Sequence, residues 1–315
     1  EHELETSIEF LKQFQVNEPE YLATQSDVTY TPTSKKLALW LRADKGVKNS
    51  RALDASSNEK VAEWIDQSPA NIQKLDPLRQ NEDTRQPQLI SNRLNGMGGL
   101  PVVRFQGGEF GKADHVLEVA DAAVLRATNA YTVCMTLRFN GKGNRNEAIF
   151  VKGRNGDKDI ASFALLRFAA DGKFGLDQNI NGQWSGRLKT ANAIPDNTPL
   201  LIIARWKAER LELKIVKQGE VLADLSTILT GEIDSGIGGP LSIGGYTQAF
   251  SEKGERMNGD IGELLYFTEG VDDNELVKLT SYLERRWLNN HSTQLTALEL
   301  YSQALLNLNE FVYIE

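Results

Sequence analysis

The sequence predicts a mainly β protein in which two antiparallel sheets stack face to face, with a short N-terminal helix and C-terminal helices. Three observations predict it. Asn-Gly occurs five times (Asn95-Gly96, Asn140-Gly141, Asn155-Gly156, Asn181-Gly182, Asn258-Gly259), and Asp171-Gly172 adds a sixth pair. Both members of such a pair tolerate positive φ, which tight hairpins require. Between these pairs the apolar residues recur with a period of two, the signature of a strand with one buried face. A helical period of three to four replaces it near Asp272.

Taken in order, Thr6 to Val16 reads as a short amphipathic helix, with Ile8, Leu11 and Gln15 on one line and Phe10 and Phe14 alongside. Pro19 stops it, and the polar stretch 20–36, with Pro32, reads as a linker. From Leu37 to Phe267 the pattern is β. Leu37, Leu39 and Leu41 alternate with Ala38, Trp40 and Arg42; Tyr131, Val133, Met135, Leu137 and Phe139 alternate with Thr132, Cys134, Thr136 and Arg138; Leu211, Leu213 and Ile215 alternate with Glu212 and Lys214. Thr198 to Trp206 is apolar almost throughout, as a central strand requires. About a dozen strands are too many for one open sheet, so two stacked sheets are expected. Asp272 followed by Glu275 forms a capping box, and Leu276, Leu279, Leu283 and Trp287 follow at helical spacing. A further helix, Thr296 to Leu308, carries Leu298, Tyr301, Leu305 and Leu308 on one stripe.

Several of these stretches resemble bacterial LamG-like, concanavalin A-like jelly-roll domains. Leu39 to Val47 (LWLRADKGV) resembles their opening strand, and Val61 to Ser68 (VAEWIDQS) the next. Gly99 to Gly107 (GLPVVRFQG), Asn258 to Phe267 (NGDIGELLYF) and the helix ending SYLERRWL at Leu288 follow in the same order. The resemblance implies a jelly-roll sandwich over 37–290 with a closing helix at 272–288, flanked by 1–36 and 291–315. It also implies a module of secreted, adhesive or polysaccharide-active proteins, some of whose relatives bind glycans or calcium.

Composition narrows the function. The net charge of −8 and the lack of a Lys/Arg run argue against nucleic acid. No apolar stretch is long enough to span a membrane. The first residues, Glu1-His2-Glu3-Leu4-Glu5, carry no apolar core of a signal peptide. The expected location is extracellular or on the cell surface, with the signal peptide outside this stretch. The lone Cys134 lies within an alternating strand and reads as a small buried residue.

Catalytic chemistry finds little footing. Jelly-roll glucanases set their carboxylates on one strand as Glu-x-Asp-x-x-Glu; Glu232-Ile233-Asp234 begins that pattern, but Gly236 or Ile237 stands where the last Glu belongs. No catalytic residue is assigned, although a carbohydrate-active enzyme with another site stays open as an alternative. His115 reads as structural. Asp260 and Glu263 lie near the last strand, with Glu263 on the face of Ile261, Leu265 and Phe267, and are expected to pair with Arg42 or Arg104. Asp44 and Asp66 read as caps for loop amides.

Binding is the more economical expectation. A sugar needs a flat aromatic for its apolar face and Asn, Asp or Arg for its hydroxyls. Residues 177–187 (DQNINGQWSGR) offer Asp177, Asn179, Trp184 and Arg187, and a second loop offers Tyr246 and Phe250. These six are the candidate ligand-binding residues, for a glycan or polysaccharide. The alternatives are that they pack on the sandwich rim and that the chain is an adhesive spacer held to neighbouring domains. Asn155, Asp157 and Asp159 alternate in a way that could ligate calcium, against the reading of a solvated hairpin turn.

Overall fold

The computed structural model describes residues 30, 36–69, 75–91, 95–107, 114–141, 143–153, 161–246 and 255–288, with Trp184 and Ser185 described by their backbone alone. The helices expected at Thr6–Val16 and Thr296–Leu308, the calcium candidates Asn155, Asp157 and Asp159, and Phe250 lie outside the described residues.

Seventeen strands, numbered in chain order, are found among the described residues, and six of them are only two or three residues long. One sheet holds β1 (Leu37–Arg42), β5 (Gln88–Ile90), β6 (Val102–Phe105), β8 (Tyr131–Phe139), β13 (Leu200–Lys207), β14 (Arg210–Lys217), β15 (Glu220–Ile228) and β17 (Gly259–Phe267). Its order is β15-β14-β13-β8-β17-β6-β5, with β1 also paired to β17. The second holds β2 (Val47–Lys48), β3 (Glu63–Trp64), β4 (Leu78–Arg79), β7 (Leu117–Val119), β9 (Glu147–Gly153), β10 (Ala161–Arg167), β11 (Phe174–Ile180), β12 (Gln183–Lys189) and β16 (Leu241–Ile243). Its order is β12-β11-β10-β9-β16-β7-β4-β3-β2. The named strands pair antiparallel, and neither sheet closes on itself.

The alternation read from the sequence is the alternation that packs. Tyr131 of the first sheet stacks on Phe163 of the second at 4.1 Å and 7°. Phe139 meets Phe174, and Tyr266 meets Phe150, edge to face. Such pairs add about 0.5–1.5 kcal/mol each to the area they bury. The buried phenols are satisfied: Tyr131 donates to Gln178 at 2.7 Å and Tyr266 to the Leu125 carbonyl at 3.0 Å. The apolar run 200–206 is indeed internal, with β13 between β8 and β14.

A third layer covers the outer face of the first sheet. Helix α1 (Asp273–Leu283) is capped by Asp272, whose carboxylate accepts from the Glu275 amide at 2.8 Å, and a π turn, Glu284–Leu288, extends it. Its buried residues include Leu279, Tyr282, Leu283 and Trp287. Arg205 of β13 ties its first turn down through Asp273.

One expectation is corrected at β17. The ladder shifts register between Ile261 and Glu263, so Gly262 is bulged. A Cβ on Gly262 would stand 2.5 Å from the Trp287 ring, so only glycine admits the helix there. The extra residue turns Glu263 away from the face of Ile261 and toward α1. Its carboxylate takes the indole N–H of Trp40 at 2.6 Å and of Trp287 at 2.7 Å, and the Tyr282 hydroxyl at 2.8 Å. Arg286 stands 3.6 Å away. Burial pushes the Glu263 carboxyl above its ordinary range, with these donors and Arg286 opposing the shift. Arg42 is its register neighbour but pairs with Asp44 instead.

Candidate functional site

Three adjacent strands place Arg104 (β6), Asp260 (β17) and Arg138 (β8) side by side, because Asp260 is the register partner of both arginines. Asp260 has no exposed surface and accepts from five donors. Arg104 holds it in a fork, Nε to Oδ1 at 2.7 Å and Nη2 to Oδ2 at 3.0 Å. Arg138 adds Nε at 3.1 Å and Nη2 at 2.5 Å, and Asn140 Nδ2 lies 3.1 Å from Oδ1. Paired, forked contacts of this kind fix geometry as well as charge. Hydrogen bonding to Asp260 holds the Arg104 guanidinium above its usual pKa.

A cleft of about 400 Å³ opens over this triad, lined by Asn95, Arg104, Gln106, Arg138, Asn140, Asn197 and Asn258. Its walls are turns. Arg138 donates to the carbonyls of Asn95 (2.6 Å) and Gly96 (3.1 Å), tying that turn to the sheet. The Asn140 amide donates to the Asn258 carbonyl at 3.0 Å, and the Asn197 amide to the Phe139 carbonyl at 2.7 Å. Three of the six turn pairs read from the sequence thus converge on one cleft.

Arg167 braces the rim from behind. It donates to the Gly141 carbonyl at 3.0 Å and to Asp196 at 2.5 Å, and its guanidinium lies 4.6 Å from the Phe139 ring. Glu147, its register partner, is buried; it accepts from the Gly143 amide at 3.0 Å and sits 3.7 Å from Arg167, an ion pair without a hydrogen bond. Burial raises the Glu147 carboxyl from 4.5 to about 7, against the opposing pull of Arg167. The folded protein therefore keeps a proton that the unfolded chain releases near pH 4.5. The stability this contributes is full below that pH and is lost as pH rises through about 7. Thermal melts of wild type are expected to fall across this window, and Glu147→Gln is expected to flatten the profile; an unchanged slope in the variant would contradict the assignment.

The residues singled out from the sequence lie elsewhere. The stretch 177–187 is a hairpin of β11 and β12, turned at Asn181 (φ 50°) and Gly182 (φ 79°), rather than a loop. Asp177 and Arg187 are register partners on the outer face of the second sheet and form a fork at 2.6 and 2.5 Å. Phe168 lies under Arg187 and Lys189. Tyr246 packs on the small cluster around Ala164, Leu166 and Phe168. Burial, then the charges of Glu255 and Asp177, raise its hydroxyl pKa. So the structure brings Asp177, Arg187 and Tyr246 together. Asp177 is 6% exposed, however, and Asn179 is wholly buried with neither amide atom hydrogen-bonded. The Trp184 backbone pairs with Asn179.

Other sequence candidates are structural. His115 is buried, accepts from the Gln106 amide, and is pushed down to about 4 by desolvation, so its ring is neutral. Asp66 accepts from the Trp40 and Ser68 amides. Ile233 bridges to Ile180 and Asp234 accepts from the Gly236 amide, so the Glu232–Asp234 stretch is an edge bridge that leads into a turn. Among the described residues, no cluster of His, Cys, Asp and Glu could hold a metal ion, and no helix is long and apolar enough to cross a membrane.

Fold and site together define the class: a two-sheet antiparallel sandwich of the jelly-roll type, with a polar cleft on the outer face of one sheet. Solved structures match at the level of fold. The Trypanosoma rangeli sialidase in complex with sialic acid has a TM-score of 0.50 at 10% identity, over 81% of this chain and 34% of that one. This chain therefore spans about a third of the sialidase. The CBM40 module of the Ruminococcus gnavus IT-sialidase, bound to α2,3-sialyllactose, has a TM-score of 0.43 at 17% identity, over 57% of this chain and 95% of the module. A SAP-like pentraxin from Limulus polyphemus has a TM-score of 0.41 at 18% identity, over 56% and 78%. No protein-family model matches the sequence, and no curated protein matches it.

Proposed function

We propose that the chain is a non-catalytic, LamG-like glycan-binding module of a secreted or cell-surface protein, and that the cleft over Asp260 holds the sugar. The observation that carries this is the lining itself: five amide side chains and two guanidiniums in one cleft, the guanidiniums fixed by a buried carboxylate. Amides present both donor and acceptor to a hydroxyl, and a held guanidinium presents donors at little entropic cost. The cleft volume suits one or two sugar rings. The fold likeness to the Trypanosoma rangeli sialidase in complex with sialic acid supports a carbohydrate ligand in general.

A glycan array probed with the full chain tests it. Binding is expected, and Asn258→Ala is expected to weaken it about tenfold with an unchanged melting temperature, since the Asn258 side chain makes only a 3.4 Å contact to the Asn140 carbonyl. No bound glycan, or binding indifferent to Asn258→Ala, would overturn the proposal.

A further inference from the structure

We infer that the cleft selects a glycan carrying a single anionic group, a carboxylate or a sulfate, and that Arg104 Nη1 receives it. The inference rests on the glycan-binding reading above and adds the chemical class of the ligand. Two guanidiniums face one carboxylate in the cleft, so one net positive charge is left over. Among the described residues the rest of the lining is neutral amide, with no acidic side chain. The neighbouring Arg167 is answered by its own partner, Asp196.

The surplus has an address. Arg138 uses all three nitrogens, on Asp260 and on the carbonyls of Asn95 and Gly96. Arg104 uses Nε and Nη2 on Asp260, while Nη1 donates to nothing among the described residues. The Arg104 side chain is 25% exposed, so this donor edge reaches solvent in the cleft. Asp260 keeps the guanidinium in one plane, and a planar guanidinium edge matches the oxygens of a carboxylate or sulfate.

The charge of the whole chain bounds the ligand further. At −8 the protein repels a uniformly charged polymer, whereas one acidic group seated in the cleft feels mainly the guanidinium beside it. Screening beyond about 8 Å at physiological salt sharpens that distinction. The ligand class is therefore an otherwise neutral glycan with an acidic residue, not a polyanion.

Calorimetric titration of the full chain with three matched oligosaccharides tests this: a neutral one, its uronate-terminated counterpart and its sulfated counterpart. An acidic form is expected to bind about tenfold more tightly than the neutral one, the two acidic arms telling carboxylate from sulfate. The preference is expected to fade between about 0.05 and 0.5 M salt and to vanish in Arg104→Gln. Should Arg104→Gln fail to fold, Asn197→Asp carries the test. Asn197 is exposed at φ 51°, a conformation that Asp tolerates, and a rim carboxylate there is expected to remove the acidic preference. Equal or tighter binding of the neutral glycan, still weakened by Asn258→Ala, would overturn the inference and leave the glycan site standing. No binding of any of the three would overturn both.

Discussion

Glu263→Gln is expected to lower the melting temperature by about 5–10 °C while leaving the cleft in place. The reason lies in how the two oxygens are used. Oε1 takes the Trp40 indole and the Tyr282 hydroxyl; Oε2 takes the Trp287 indole and, at 3.1 Å, the same hydroxyl. Whichever oxygen becomes an amide nitrogen, an indole N–H then faces another donor in a fully buried site. Leaving a buried donor unmatched costs about 1–3 kcal/mol, and charged partners such as Arg286 add to it. A cost of about 2.5 kcal/mol, in the upper part of that range, at about 2–4 °C per kcal/mol gives about 5–10 °C. Glu263 joins three elements, since Trp40 comes from β1, Glu263 from β17, and Tyr282 and Trp287 from α1 and its π turn. Differential scanning calorimetry of the variant checks this, and an unshifted transition would mean that the helix layer is held by its apolar contacts alone.

Asp260→Asn is expected to abolish glycan binding and to cost about 2–3 kcal/mol of stability, a combination Asn258→Ala does not share. The substitution removes the one charge that both Arg104 and Arg138 face and leaves two guanidiniums together over a buried neutral amide. Removing one partner of a buried ion pair costs about 3–5 kcal/mol, and the partial exposure of both arginines (25% and 15%) reduces that. Arg138 also anchors the Asn95-Gly96 turn, so loosening it opens one wall of the cleft. Parallel melting and binding titrations check the pair of effects. Retained binding with lowered stability would make the triad a structural staple only.

Much of the fold is legible in particular residues. The alternation Tyr131 to Phe139 predicts the inner face of β8, and Asp272 with Glu275 predicts where α1 starts. Most of the six short strands have no signal of their own, since two or three residues cannot display a period, while β3 lies within Val61 to Ser68, which reads as a strand only through the resemblance. Strand parity puts Glu263 on the face of Ile261, and the bulge at Gly262 inverts that parity. The polar side chains of 177–187 read as a loop; a strand whose outer face carries Asp177 and Arg187 as a cross-strand pair has no apolar alternation to show there. The cleft was the least legible part. Its triad comes from residues 122 and 156 positions apart from Asp260, and only sheet register joins them. Asn95-Gly96, Asn140-Gly141 and Asn258-Gly259 were each visible as turns, but nothing local says that they share one rim.

The most direct measurement is a crystal structure of the full chain soaked with an array-selected oligosaccharide. The sugar is expected in the cleft, within hydrogen-bond distance of Arg104 and of Asn140 or Asn258. Density for the sugar beside Tyr246 and Arg187 on the outer face of the second sheet, with the cleft unoccupied, would contradict the account.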